Sequence, residues 1–210
     1  MRKYVLPALL LGLAAPGLAA LAIIPAHAQA AAPVKDPAKV RSGAYSLEKY
    51  HTQVLFGVSH FGFTTFYGRF TDYAGSLDFN PQDVAKSKLS VTIQTASVET
   101  ANAKLDAELK DTNWFDAAKY PAITFETTRI EKTGADTGRV IGNLTLHGVT
   151  RPVTLAVTFN GGGLNPIDQK YTVGFEASGT IKRSEFGVKT YVPAVGDDVS
   201  LIISGAFEHT

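Results

Sequence analysis

The chain has 210 residues, no cysteine and a formal net charge of +1. The missing cysteine excludes disulfides, thiolate chemistry and a lipid-modified N-terminal cysteine. A balance this even argues against nucleic acid or an anionic membrane as a charge-driven partner.

The first element is an export signal by its pattern. Arg2 and Lys3 precede an apolar stretch from Tyr4 to about Ile24, and Ala26-His27-Ala28 has the small-x-small form of a peptidase site. Pro7, Gly12, Pro16, Gly17 and Pro25 interrupt the apolar run, which favours removal over retention as an anchor. The reading is a signal peptide over 1–28 cleaved after Ala28, with Ala30 as the alternative. Loss of Arg2 and Lys3 lowers the net charge by two, from +1 to −1. About 180 residues then remain, enough for one domain with a sizeable core. No later apolar run approaches the ~18 residues of a transmembrane helix. Residues 29–43 are rich in Ala, Pro and Lys without periodicity and are read as a flexible leader.

From Ala44 onward the texture is β. Val54, Phe56, Val58 and His60 alternate with Gln53, Leu55, Gly57 and Ser59, and Val153, Leu155, Val157 and Phe159 alternate with Thr154, Ala156 and Thr158. Such period-two alternation marks half-buried strands. Eight strands are predicted: 44–60, 66–80, 87–98, 121–132, 137–147, 151–162, 170–183 and 198–209. Turn signals separate them at Asn80-Pro81, Thr133-Gly134, His147-Gly148 and Gly161-Gly162-Gly163. One segment differs: 101–110 is read as a short helix, followed by a helical turn around Trp114 and Phe115. Short connections imply antiparallel pairing, and closure removes sheet edges. The predicted class is an all-β, eight-stranded antiparallel lipocalin-like barrel with a short helical insertion. A two-sheet sandwich is the rival.

Five stretches, in order, resemble the YceI-like family. His51, Phe56, Val58, His60, Gly68, Arg69 and Phe70 lie in the first, followed by Ser97-Val98-Glu99-Thr100. Next comes Asn113-Trp114-Phe115-Asp116 with Tyr120-Pro121 and Phe125, then the run Gly142 to Thr150. Ser184-Glu185-Phe186-Gly187, with Gly196-Asp197 and Val199, is the last. Leu105-Asp106-Ala107-Glu108 stands where many members carry Arg-Asp and a histidine. The resemblance spans about 45–209. It implies a lipocalin-like barrel with an elongated apolar cavity, periplasmic export, and binding of an isoprenoid lipid, either a polyprenyl phosphate or an isoprenoid quinone. It leaves a homodimer open.

Twelve phenylalanines, eight tyrosines and one tryptophan could line such a cavity or fill a solid core. The candidate lining residues are Val54, Phe56, Val58, His60, Phe61, Phe63, Phe66, Phe70, Trp114, Phe115, Phe125, Leu144, Leu146, Phe175 and Phe186. His60, in phase with Phe56 and Val58, is read either as a donor to a head group or as a core histidine bonded to a neighbouring strand. Arg69, Lys182 and Arg183 are read either as contacts to a phosphate head group or as surface charge. Asp197-Asp198 is read as solvated loop charge. No metal site is expected: His51 and His60, nine residues apart, face opposite sides of one strand. No enzyme is expected either, because Ser59 and His60 project to opposite faces and G-x-S-x-G is missing. No catalytic cofactor is called for. Beyond a lipid carrier or store, a filled-core stress or interaction module and an enzyme acting on an isoprenoid lipid are the competing readings.

Overall fold

The computed structural model describes residues 32–210; the signal peptide read over 1–28 lies outside the described residues. Ten strands are present: β1 (Gly43–His60), β2 (Thr64–Phe70), β3 (Tyr73–Phe79), β4 (Lys88–Gln94), β5 (Val98–Glu99), β6 (Ala122–Lys132), β7 (Thr137–Leu146), β8 (Val149–Leu164), β9 (Tyr171–Lys182) and β10 (Val195–His209). They amount to the eight expected runs, because β2 with β3, and β4 with β5, are each one run broken in the middle. The order β1-β10-β9-β8-β7-β6-β4-β3 returns to β1 and closes an antiparallel barrel.

The breaks have a common cause. The first part of β1 pairs with β3, from Gly43↔Phe79 to Ser46↔Ser76, and its last part with β2, from Val54↔Phe70 to His60↔Thr64. Between the two, β1 bulges and its register with β10 shifts between Glu48 and Gln53. A bulge adds residues to one strand and bends it. Side chains satisfy several of the backbone groups that the bulge frees. Glu48 accepts from Tyr50 N at 2.7 Å and His51 N at 2.9 Å, Thr52 Oγ1 accepts from Ala206 N at 3.1 Å, and the Tyr73 hydroxyl donates to Thr52 O.

Two expectations are corrected at the lower end, where β3, β8 and β10 finish. Gly161-Gly162-Gly163 is strand within β8, and the turn falls after Leu164. The glycines serve close approach: a Cβ on Gly161 would stand 2.9 Å from Pro33, and one on Gly162 would stand 2.8 Å from Val40. The described part of the leader read over 29–43 packs against them. Val34 bridges Gly162, Lys35 Nζ donates to Asn160 O at 2.6 Å, and Val40 is buried. Apolar Val34 and Val40 find partners there that the local composition does not reveal.

Below the cavity Tyr45, Leu77, Phe79, Phe159, Val173 and Phe207 form a solid floor with Val40. Rings meet edge-on or tilted, Phe79–Phe175 at 5.7 Å and Phe159–Phe175 at 5.4 Å between centroids. The Tyr45 hydroxyl donates to Arg41 O at 2.6 Å. Burial pushes its pKa up to about 12 from 10.0. The sign follows by linkage: a proton held more tightly when folded stabilises the fold fully below pH 10, and that contribution is lost as pH rises toward 12. Tyr45→Phe is expected to flatten the fall in melting temperature between pH 10 and 12, measured by thermal unfolding across that range.

The helix α1 (Ala103–Lys110) matches its expected position. The Asn102 side chain caps it by accepting from Lys104 N and Leu105 N. Asp106 accepts from Thr100 N at 2.7 Å and Thr100 Oγ1 at 2.6 Å. Residues around Trp114 form turns rather than helix. α1 packs beside β5 and buries Leu109.

Candidate functional site

The barrel is hollow above its aromatic floor, with a cavity of about 590 Å³, within the range of small-molecule sites. Inward-facing Val54, Leu89, Val91, Leu144, Val157, Leu201 and Ile203 are only half-buried although they point into the barrel. In a packed core the same positions would be closed off. Lining side chains follow β10 from Val195 to Phe207, a path of roughly 40 Å at ~3.3 Å per residue. The wall is aliphatic in the middle, while towards the upper end Phe56, Phe70 and Phe115 run ring to ring at 5.7 and 5.8 Å.

Two glycines shape the wall. A Cβ on Gly68 would lie 2.3 Å from the Phe56 ring, and one on Gly142 2.5 Å from Phe125. Each ring lies over a bare stretch of a neighbouring strand, which holds it against the wall and keeps the space inside open. This is the physical content of Gly68 before Arg69-Phe70 and of Gly142 before Asn143-Leu144.

The upper end is framed by His60, Phe61 and Phe66 of the β1–β2 hairpin, by Leu105 and Glu108 of α1, and by Trp114 and Tyr191. Leu105 adds an apolar wall residue, and Glu108 accepts from Trp114 Nε1 at 3.3 Å. Beneath the rim Arg183 is buried and its guanidinium is occupied by backbone. Nε donates to Gly196 O at 2.8 Å, Nη1 to Val188 O at 3.0 Å and Nη2 to Val195 O at 2.8 Å. It also lies over the Trp114 ring at 5.5 Å. Burial lowers its pKa, against the pull of Asp197. Asp197 in turn accepts from Ser184 N at 2.9 Å and Ser184 Oγ at 2.8 Å. Burial works against its charge, but these bonds with Lys182 and Arg183 hold the carboxyl below its ordinary value. Ser184 and Asp197 therefore latch the two strands that carry the loop, which corrects the reading of Asp197 as solvated charge.

Of the candidate lining residues, Val54, Phe56, Val58, His60, Phe61, Phe66, Phe70, Trp114, Phe115, Phe125, Leu144, Leu146 and Phe175 stand on the cavity wall. Two do not. Phe63 projects into solvent from the tip of the β1–β2 turn, where no strand alternation governs direction. Phe186 is buried in the packed shell around the cavity, because it sits in a 3-10 turn, Arg183–Phe186, that displaces it from β9's inward face. His60 is neither a core histidine nor strand-bonded; it is exposed at the rim, edge-on to Phe61 at 4.4 Å. Arg69 points outward and forks onto Glu99 at 3.0 and 3.1 Å. Lys182 pairs outside with Asp198 at 2.7 Å. As a head-group contact Arg183 is corrected too, since its donors on all three nitrogens already meet carbonyls. Leu47, Leu89, Val157, Phe159, Leu201, Ile203 and Phe207 also line the space; strand parity marks all but Leu47 as inward, Leu47 being out of phase with Val54 until the bulge in β1 shifts it, and nothing local separates cavity wall from core. Among the described residues no cluster of metal-ligating side chains occurs, and no helix is long and apolar enough to cross a membrane.

The model of the YceI-like domain matches residues 45–207. The chain belongs to the YceI-like family. A relative from Yersinia pestis, named UPF0312 protein, is 40% identical over 162 residues, which cover 76% of this chain and 83% of its own. The crystal structure of Burkholderia cenocepacia BcnA superposes with a TM-score of 0.70 at 26% identity, covering 76% of this chain and 98% of that one. A domain from Saccharophagus degradans, described as polyisoprenoid-binding and implicated in plant cell wall breakdown, shares the fold with a TM-score of 0.58 at 17% identity over 81% of this chain and 100% of its own. The YceI-like motifs gain physical roles here: the glycines seat rings, Asp197 latches Ser184, and Arg183 ties the loop beneath the rim.

Proposed function

We propose that this protein binds an isoprenoid lipid in the barrel and carries or stores it in the periplasm, shielding the tail from water. The observation that carries the reading is the elongated cavity with an almost wholly apolar wall. Each methylene moved from water into it contributes about 0.8 kcal/mol, so a tail of several isoprene units binds without a single hydrogen bond. The solved polyisoprenoid-binding domain of the same fold supports the same ligand class. Family membership supports a binding role over catalysis. The signal-like N-terminus supports export.

An uncharged head group, as on a quinone, is favoured over a phosphate. Arg69 and Lys182 are paired on the outside and Arg183 is engaged by three carbonyls, while the upper rim presents His60 and the Glu108 carboxylate, and Lys132 of the lining stands at the opposite end with Glu131 and Asp136. A phosphate beside the Glu108 carboxylate meets repulsion.

The test is mass spectrometry of organic extracts from protein exported by its native host, followed by thermal unfolding with added quinone or polyprenyl phosphate. A stoichiometric isoprenoid compound is expected in the extract. Quinone at a hundred times its Kd is expected to stabilise the fold by about 2.7 kcal/mol, roughly 5–10 °C for a domain of this size. An empty extract together with an unchanged melting temperature for both ligands overturns the reading and turns attention to a protein partner.

A further inference from the structure

Phe63 is 88% exposed, Tyr191 64% and Phe61 54%. All three stand at the open end of the barrel. Phe61 and Tyr191 line its mouth, and Phe63 adjoins it at the tip of the turn between β1 and β2. Phe61 N donates to Ala194 O at 2.9 Å, joining the hairpin to the loop that carries Tyr191. Tyr191 leans on Trp114 with centroids 6.2 Å apart. The two aromatic segments of this rim, 59–68 and 190–196, contain no Asp, Glu, Lys or Arg, in a chain where 19% of residues are charged, and the Glu108 carboxylate that α1 adds to the rim is engaged by Trp114 Nε1 at 3.3 Å. Phe61 also holds a left-handed backbone, with φ 52°, followed by Gly62 at φ 73°. Asn, Asp or Gly suits that first turn position better, so the aromatic residue stands there at a conformational cost.

The three rings expose about 400 Å² together, taking ~200 Å² for each fully exposed ring. That is roughly half of the ~800 Å² each partner covers in a stable protein interface. The tip is narrow and convex, suited to insertion rather than to a flat contact. Aromatic side chains favour the zone where bilayer headgroups meet hydrocarbon.

We propose that these two uncharged aromatic segments of the rim, led by Phe63, seat the mouth of the barrel in a phospholipid bilayer, so that an apolar ligand passes between membrane and cavity without crossing water. The proposal rests on the lipid-binding reading above. The partner is the bilayer surface itself, engaged by ring insertion rather than by charge.

The test is flotation of the exported protein with phosphatidylcholine vesicles, followed in parallel by emission of Trp114, the chain's single tryptophan. Wild type is expected to float and its emission to shift to the blue. Phe63→Ser is expected to weaken partitioning roughly ten- to hundredfold, with melting temperature and quinone uptake from detergent unchanged, and Phe63→Trp to restore it. Wild type that stays off the vesicles, or Phe63→Ser that floats equally well, overturns the proposal. So does a dimer, seen by sedimentation, that Phe63→Ser dissociates. Vesicle binding lost with Phe63→Ser, in a protein that takes up no isoprenoid, leaves docking standing and overturns the ligand reading alone.

Discussion

Ala177→Phe is expected to abolish ligand loading while leaving the barrel as stable as wild type or more so. Ala177 lies on β9 between Val157 of β8 and Ile203 of β10, half-buried and facing the cavity. Wall atoms that face empty space lack dispersion partners on that side, and a ring placed there supplies them. Cavity filling of this kind commonly adds about 0.5–2 kcal/mol, here roughly 1–8 °C in melting temperature. The same ring occupies the path of a tail. Displacing about five methylenes at ~0.8 kcal/mol each removes about 4 kcal/mol of affinity, close to a thousandfold. Thermal unfolding and quinone titration of the purified variant read the two effects separately. Overpacking of a filled core costs about 1–3 kcal/mol instead, so a melting temperature lowered by several degrees would show that the barrel has no room at this level.

Arg183→Met carries the largest stability loss expected outside the floor. Its three donating nitrogens satisfy the carbonyls of Gly196, Val188 and Val195, and Val188 and Val195 are buried. Methionine preserves much of the apolar stem but leaves those acceptors without donors, and hydrogen bonds from charged groups contribute about 1.5–3 kcal/mol each. Because water can reach some of them after the loop loosens, the expected cost is about 3–5 kcal/mol, as for breaking a buried charged network. Thermal unfolding should register this as roughly 6–20 °C. Lysine does not replace the arginine, since a single ammonium cannot span three carbonyls in a planar fork. Trp114, which lies under the guanidinium, should change its emission before global unfolding. A loss below 1 kcal/mol would mean that the loop stands without the clamp.

The two variants separate the roles of the middle of the barrel and its upper end. One changes what the barrel holds and the other how its upper end is held together. Assigning Arg183 to the loop also bears on the ligand, because it removes the most buried cation from the search for a phosphate partner.

Much of this protein is determined locally. Alternation of Val54, Phe56 and Val58, or of Leu155, Val157 and Phe159, forces one face inward whatever the rest of the chain does, and short turns such as His147-Gly148 leave antiparallel pairing as the available arrangement. The eight runs, their order along the chain and many of the wall residues were therefore legible in the sequence, as was the short helix. The resemblance added the family, which the match over 45–207 shows. What could not be read locally depends on closure. Whether half-buried Leu201 and Ile203 meet other side chains or open space is set by barrel diameter and by rings parked over Gly68 and Gly142, from strands distant in sequence. Phe63 and Phe186 have the same chemistry as Phe66 and Phe70, but each falls where strand parity stops, at a turn tip and in a 3-10 turn. Arg69 and Arg183 are alike as sequence. Only the fold brings Glu99 to the first and three carbonyls to the second, and a guanidinium is drawn to whichever acceptors the tertiary structure leaves unsatisfied.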